Sequence, residues 1–191
     1  MTFAMPDLGK WAWQISLEFN LMFVSKIIPV AAALSMAAIA TSADAGTRVA
    51  NDLSQCRAGA TGTAALVRVV GFRDANGRVR VQSYGGESSW LERGQWLHRV
   101  DVPAQPRSRN MTVCLPLPGP GTYGIAVRHD SNGNNSSDRR DGGGFSRNPD
   151  LSFPFNLQPD FDEVSFRAGR GVTRINVVLN YMQGTSVEPI S

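Results

Sequence analysis

An all-β chain folded as an antiparallel β-sandwich of about seven strands, with a long loop before the last strands, is the fold class this sequence predicts. Three observations carry it. Apolar residues alternate with polar ones in several short runs, clusters of Gly, Pro and Asn separate those runs, and beyond residue 45 no apolar pattern reaches helix length. Period-two alternation gives a strand one dry face and one wet face, and two such sheets bury their dry faces against each other.

Residues 27–40, IIPVAAALSMAAIA, form an apolar run that follows Lys26 and precedes the small residues Ala43 and Ala45. That pattern predicts a secretory signal peptide cleaved after Ala45, and the run is shorter than the roughly 20 residues a membrane-spanning helix needs. No permanent membrane span is expected. Residues 1–21 carry Asp7 and Glu18, which suit a signal peptide poorly; a start at Met22 or an amphipathic extension would each account for them. The chain therefore divides into an extension and signal peptide (1–45), a flexible tail (46–62), the sandwich domain (63–183) and a loose C-terminus (184–191). Export places the protein in the periplasm or outside the cell.

Setting aside Lys10 and Lys26 from the 19 basic residues, and Asp7, Glu18 and Asp44 from the 16 acidic ones, leaves 17 arginines against 13 carboxylates, a net charge of +4. Guanidinium forks suit carboxylate or phosphate. The arginines are nevertheless interleaved with acids from Arg48 to Arg174 rather than grouped in a block, so nucleic acid is not an expected partner. Cys56 and Cys114 are an even pair in an exported chain, and a disulfide between them is expected to fasten the tail to the sheet.

Within the domain, Ala65, Val67 and Val69 alternate, Asn76-Gly77 supplies a turn signal, and Val79 and Val81 alternate again, which predicts a β-hairpin. Residues 87–95 suggest a helical turn with Trp90, Leu91 and Trp96 on its apolar side, followed by a strand over 97–102 that stops at Pro103. Met111, Val113 and Leu115 mark the next strand, and a Pro-Gly-rich turn leads to another bearing Tyr123, Ile125 and Val127. The long stretch from 130 to 162 contains Phe145, Phe153, Phe155 and Phe161, which are expected to fold it back on the sandwich. Strands over 164–166 and 172–181 close the fold.

The run PGPGTYGIAVRHDSNGN at 118–134, followed by GGGFSRN at 142–148 and a last strand ending in an aromatic, resembles the bacterial exported domain-of-unknown-function family 2141 over about residues 63–182. The resemblance implies a β-sandwich of the transthyretin-like or carboxypeptidase-regulatory kind and no established activity. Two positions depart from the family pattern: Asn135 replaces the second glycine of an Asn-Gly-Asn-Gly run, and Gly143 stands where an aromatic is expected.

Asp130, Asn132, Asn134, Ser136, Asp138 and Asp141 occupy positions one, three, five, seven, nine and twelve of a loop, the spacing by which a calcium loop presents oxygens. The same residues also suit a plain inter-strand loop in which Asp and Asn cap their own backbone. Calcium bound there would order the loop, with an affinity of roughly 10⁻⁴ to 10⁻³ M, as in extracellular modules. His129 beside Asp130 offers a hydrolase of the transthyretin-related type as the alternative, although neighbours on a strand point to opposite faces. Trp90 and Trp96 either join the core or anchor a carbohydrate or an envelope protein. The leading expectation is a non-enzymatic exported module, binding or structural.

Overall fold

In the computed structural model, residues 46–190 are described, and the expected signal peptide with its cleavage at Ala45 lies outside them. The chain runs β1 (Thr47–Arg48), β2 (Thr63–Val70), β3 (Arg78–Tyr84), β4 (His98–Pro103), β5 (Asn110–Pro116), β6 (Gly121–Asp130), β7 (Gly142–Phe145), α1 (Phe161–Val164), β8 (Phe166–Ala168), β9 (Gly171–Val178), β10 (Asn180–Gln183) and β11 (Ser186–Pro189). A large sheet has the order β1-β4-β3-β6-β7-β10-β11, with β8 on the start of β6, and a small sheet has the order β5-β2-β9. Their dry faces meet in one core, where Val67, Val69, Val113 and Val177 of the small sheet pack with Val79, Val81, Val100, Ile125 and Val127 of the large one. Full burial of each such side chain contributes about 1.5–3 kcal/mol.

The sheets are mixed rather than wholly antiparallel, because β2 runs parallel to β9 and β1 parallel to β4. The expected hairpin between β2 and β3 does not form: β2 pairs with β5 and β9, while β3 pairs with β4 and β6. Alternation requires only that each strand have a dry face, and here the two dry faces meet across the sandwich. Gly77 serves that crossing, since a Cβ on it would lie 1.8 Å from the carbonyl oxygen of Asp130, at a φ of +72°. The closing strand expected over 172–181 is likewise two strands, switching sheets at Leu179, whose N–H donates to the Val70 carbonyl at 2.9 Å.

The segment 46–62 lies along the sheets as β1 and a 3-10 turn at Leu53–Cys56, tied down by the Cys56–Cys114 disulfide and by the Cys114 N–H donating to Asn51 Oδ1 at 2.9 Å. The C-terminal residues expected to be loose form β11, which pairs with β10. The 130–162 stretch contains β7, seated between β6 and β10. Its glycines permit this: a Cβ on Gly142 would stand 2.4 Å from the Tyr181 ring, and one on Gly144 would stand 2.3 Å from the Val178 carbonyl oxygen. Phe145 and Phe161 fold back as expected, whereas Phe153 and Phe155 are exposed.

Candidate functional site

Alternation along β6 sends Tyr123, Ile125, Val127 and His129 into the core and Arg128 to the outer face of the large sheet. His129 is fully buried; its Nδ1 lies 2.7 Å from the Tyr181 hydroxyl and its Nε2 2.8 Å from the Asn76 carbonyl oxygen, with Phe72 edge-on. Asp130 lies on the opposite side, so the His-carboxylate pair of the hydrolase alternative does not form. His129 is a core clamp that holds the β2–β3 crossing to β6.

Asp130 is buried under the loop it begins. Its carboxylate accepts from the Asn134 N–H at 3.1 Å and the Asn135 N–H at 2.9 Å, and pairs with Arg128 Nη2 at 3.1 Å. Asn132 and Asn134 each donate a side-chain amide to Asp138 Oδ2, at 2.7 and 2.9 Å, while their own side-chain oxygens accept the N–H groups of Asn134 and Ser136. Asp141 Oδ1 accepts from the Ser131 N–H at 3.3 Å, and its Oδ2 faces Arg128 Nε at 3.9 Å. Among the described residues Ser136 enters only through its N–H, and it is the neighbouring Ser137 whose hydroxyl accepts from Arg128 Nη1 at 3.0 Å. Arg128 therefore stands as the cation among the loop's carboxylates. Among the described residues, no three of His, Cys, Asp or Glu converge as a metal-holding group. Asn135 takes the left-handed conformation, with φ 63°, that the tight position demands.

The charges of this loop are uneven. Burial, and then Asp138 and Asp130, push the Asp141 carboxyl above its ordinary range, whereas the Arg140 backbone N–H and the Asn132 amide hold exposed Asp138 below it. Asp141 Oδ2, Arg128 Nε and Trp96 Nε1 are buried without a hydrogen-bond partner among the described residues.

All three belong to residues lining a groove of about 930 Å³ on the outer face of the large sheet. Its floor comes from β4, β3, β6 and β7, and its walls include Leu91–Trp96 residues on one side, the 135–141 loop on another, and Leu157 and Gln158 beyond Phe145. Register sets the floor in rows: Asp101, Arg80, Arg128 and Gly143 lie side by side, and next to them Arg99, Gln82, Ala126 and Phe145. Asp101 binds Arg80 Nε at 2.9 Å and also pairs with Arg99 through Nε and Nη2. Burial raises the Asp101 carboxyl, but the two guanidiniums outweigh it and leave it below the usual carboxylate range.

Trp90 is mostly core, edge-on to Tyr84 and Phe161 and donating Nε1–H to the Pro159 carbonyl at 2.8 Å. Trp96 lines the groove with the Arg99 guanidinium 5.2 Å from its ring centre. Sequence reasoning named the tryptophans and the loop but not Arg80, Arg99 and Asp101. Their signal, charged residues on the wet side of alternating runs, is the same as for any solvated face.

No match was found among curated proteins or among solved structures. A bacterial family model described as "Uncharacterized protein conserved in bacteria (DUF2141)" matches residues 67–176, from β2 through most of β9, and so takes in most of the core, the 130–141 loop and the groove floor. On that match, the chain belongs to the DUF2141 family.

Proposed function

We propose that this protein is an exported, non-enzymatic module that binds an extended polar ligand of the saccharide class in the groove of its large sheet. The groove itself carries the reading: loops wall the central strands into a hollow of about 930 Å³ that offers guanidiniums, amides and an indole together. A sugar chain presents apolar ring faces to aromatics and hydroxyls to charged and amide groups, and such sites combine a hydrophobic wall with a few placed polar groups. Export is supported by the apolar run at 27–40 and by the Cys56–Cys114 disulfide, which suits an oxidising compartment.

Gly143 offers the test, because a Cβ there meets nothing within 4 Å and would project into the groove. Gly143→Tyr should obstruct the groove floor beside Arg128 and leave the melting temperature unchanged. The protein is screened against envelope and extracellular polysaccharides, and binding should be lost in the variant. If no polysaccharide binds, or the variant binds as well as the original, the reading fails.

A second reading concerns the 130–141 loop: calcium adds to Arg128 in ordering it. Asp141 Oδ2, which accepts no hydrogen bond among the described residues and feels the charges of Asp138 and Asp130, supports this. At tenfold excess over the dissociation constant, calcium should stabilise by about 1.4 kcal/mol relative to EDTA. Asp130→Ala and Asp138→Ala should both abolish the gain, and identical melts with and without calcium would rule the reading out.

A further inference from the structure

We infer that Arg80, flanked by Arg99 and Arg128, is the subsite for a carboxylate carried by an acidic saccharide in this groove. The inference rests on the groove being the binding surface and deepens it by naming the ligand's charge. Arg80 and Arg128 are direct cross-strand partners on β3 and β6, with both side chains on the outer face. Like charges set directly opposite destabilise a sheet, so this placement works against the fold. Arg80 pairs with Asp101 on its β4 side and Arg128 with Asp130 two residues along β6, so the register sets the two arginines against each other with no carboxylate position between them.

Among the described residues Arg80 hydrogen-bonds through Nε alone, which leaves its two terminal amino groups for a ligand. Asp101 is shared with Arg99, and one carboxylate thus serves two guanidiniums. With each Arg80 and Arg128 side chain only 19% exposed, the arginines are mostly desolvated and their hydrogen bonds to an anion are stronger than those of surface arginines. A fork of two parallel N–H groups matches a planar carboxylate, and an anion placed there relieves the repulsion between the arginines. On the loop side of Arg128, Asp141 lies 3.9 Å from its Nε and, with Asp138, repels anions, which shifts the favourable position towards Arg80 and the neighbouring Arg99.

The test titrates the protein with oligogalacturonate, with unmodified dextran oligomers, with dextran sulfate and with single-stranded DNA, and repeats each in Arg80→Gln and Arg80→Lys. Oligogalacturonate should bind at least about tenfold more tightly than dextran; Arg80→Gln should lose about tenfold, and Arg80→Lys, which keeps the charge without the fork, should recover only part. Asp101 retains Arg99 in both variants, so both should melt as the original does. If dextran binds as tightly as oligogalacturonate and ignores Arg80→Gln, the subsite is overturned while the groove stands. Failure of every saccharide removes both. Preferential, Arg80-dependent binding of dextran sulfate overturns the carboxylate assignment, and tighter binding of DNA overturns the saccharide.

Discussion

Asp130→Ala should destabilise the protein by about 3 kcal/mol, although Asp130 sits at the edge of a surface loop. Its side chain is 4% exposed and ends three interactions: the Arg128 Nη2 pair at 3.1 Å and the N–H groups of Asn134 and Asn135 at 3.1 and 2.9 Å. Removing one partner of a buried ion pair costs about 3–5 kcal/mol, because the other charge is left uncompensated. Arg128 keeps some solvent and can turn to Asp141, 3.9 Å away, which favours the low end of that range. The two loop N–H groups can rehydrate and add little. Urea denaturation followed by tryptophan fluorescence measures the change, with Asp138→Ala as the control. Asp138 is fully exposed, and its partners Asn132, Asn134 and Arg140 can bond to water instead, so its loss should barely move the midpoint. A cost below about 1 kcal/mol for Asp130→Ala, or an equal cost for the two variants, would refute the view that Arg128 and Asp130 hold the loop.

Replacing both Cys56 and Cys114 by serine opens a loop closed across a sequence separation of 58 and should cost about 4 kcal/mol in the chain-entropy model, read from urea midpoints. Gly144→Ala must displace the Val178 backbone and should cost about 1–3 kcal/mol, whereas Gly143→Ala meets open space and should be neutral in the same thermal melt. Tyr181→Phe leaves the His129 ring and the Arg73 N–H each short of a partner and should cost about 1–3 kcal/mol. Burial pushes the Tyr181 hydroxyl up to about 12 from 10.0, so the folded state holds its proton more firmly than the unfolded one. Stability should therefore stay level up to pH 10 and decline from there towards pH 12, and that alkaline decline should be shallower in the phenylalanine variant.

The strands themselves were legible because alternation is local: Val79 and Val81 have to share a face whatever they meet. By the same alternation His129 and Asp130, as adjacent strand residues, point to opposite faces, and that is how they are placed. The loop composition was legible too, but not its chemistry, since Asp and Asn oxygens at the spacing of a calcium loop also suit Asx turns, and only the fold brings Arg128 in among them. The 172–181 strand shows the limit plainly. Its alternation continues unbroken through Leu179, where the chain leaves one sheet for the other, so nothing in the residue pattern marks the switch.

By itself, the sequence determined the β class, the dry face of each strand and the places where the chain turns, all of which depend on residues within a few positions of one another, and its two cysteines left one possible pair. The tertiary structure alone decided that β2 faces β3 across a core instead of lying beside it, that β9 returns parallel to β2, and that Arg80 lies opposite Arg128. Partner choice is a chain-wide packing outcome: a wet-face arginine reads the same in any register, and only when β4, β3, β6 and β7 are laid side by side do separate solvated positions become one cluster of guanidiniums in a walled groove.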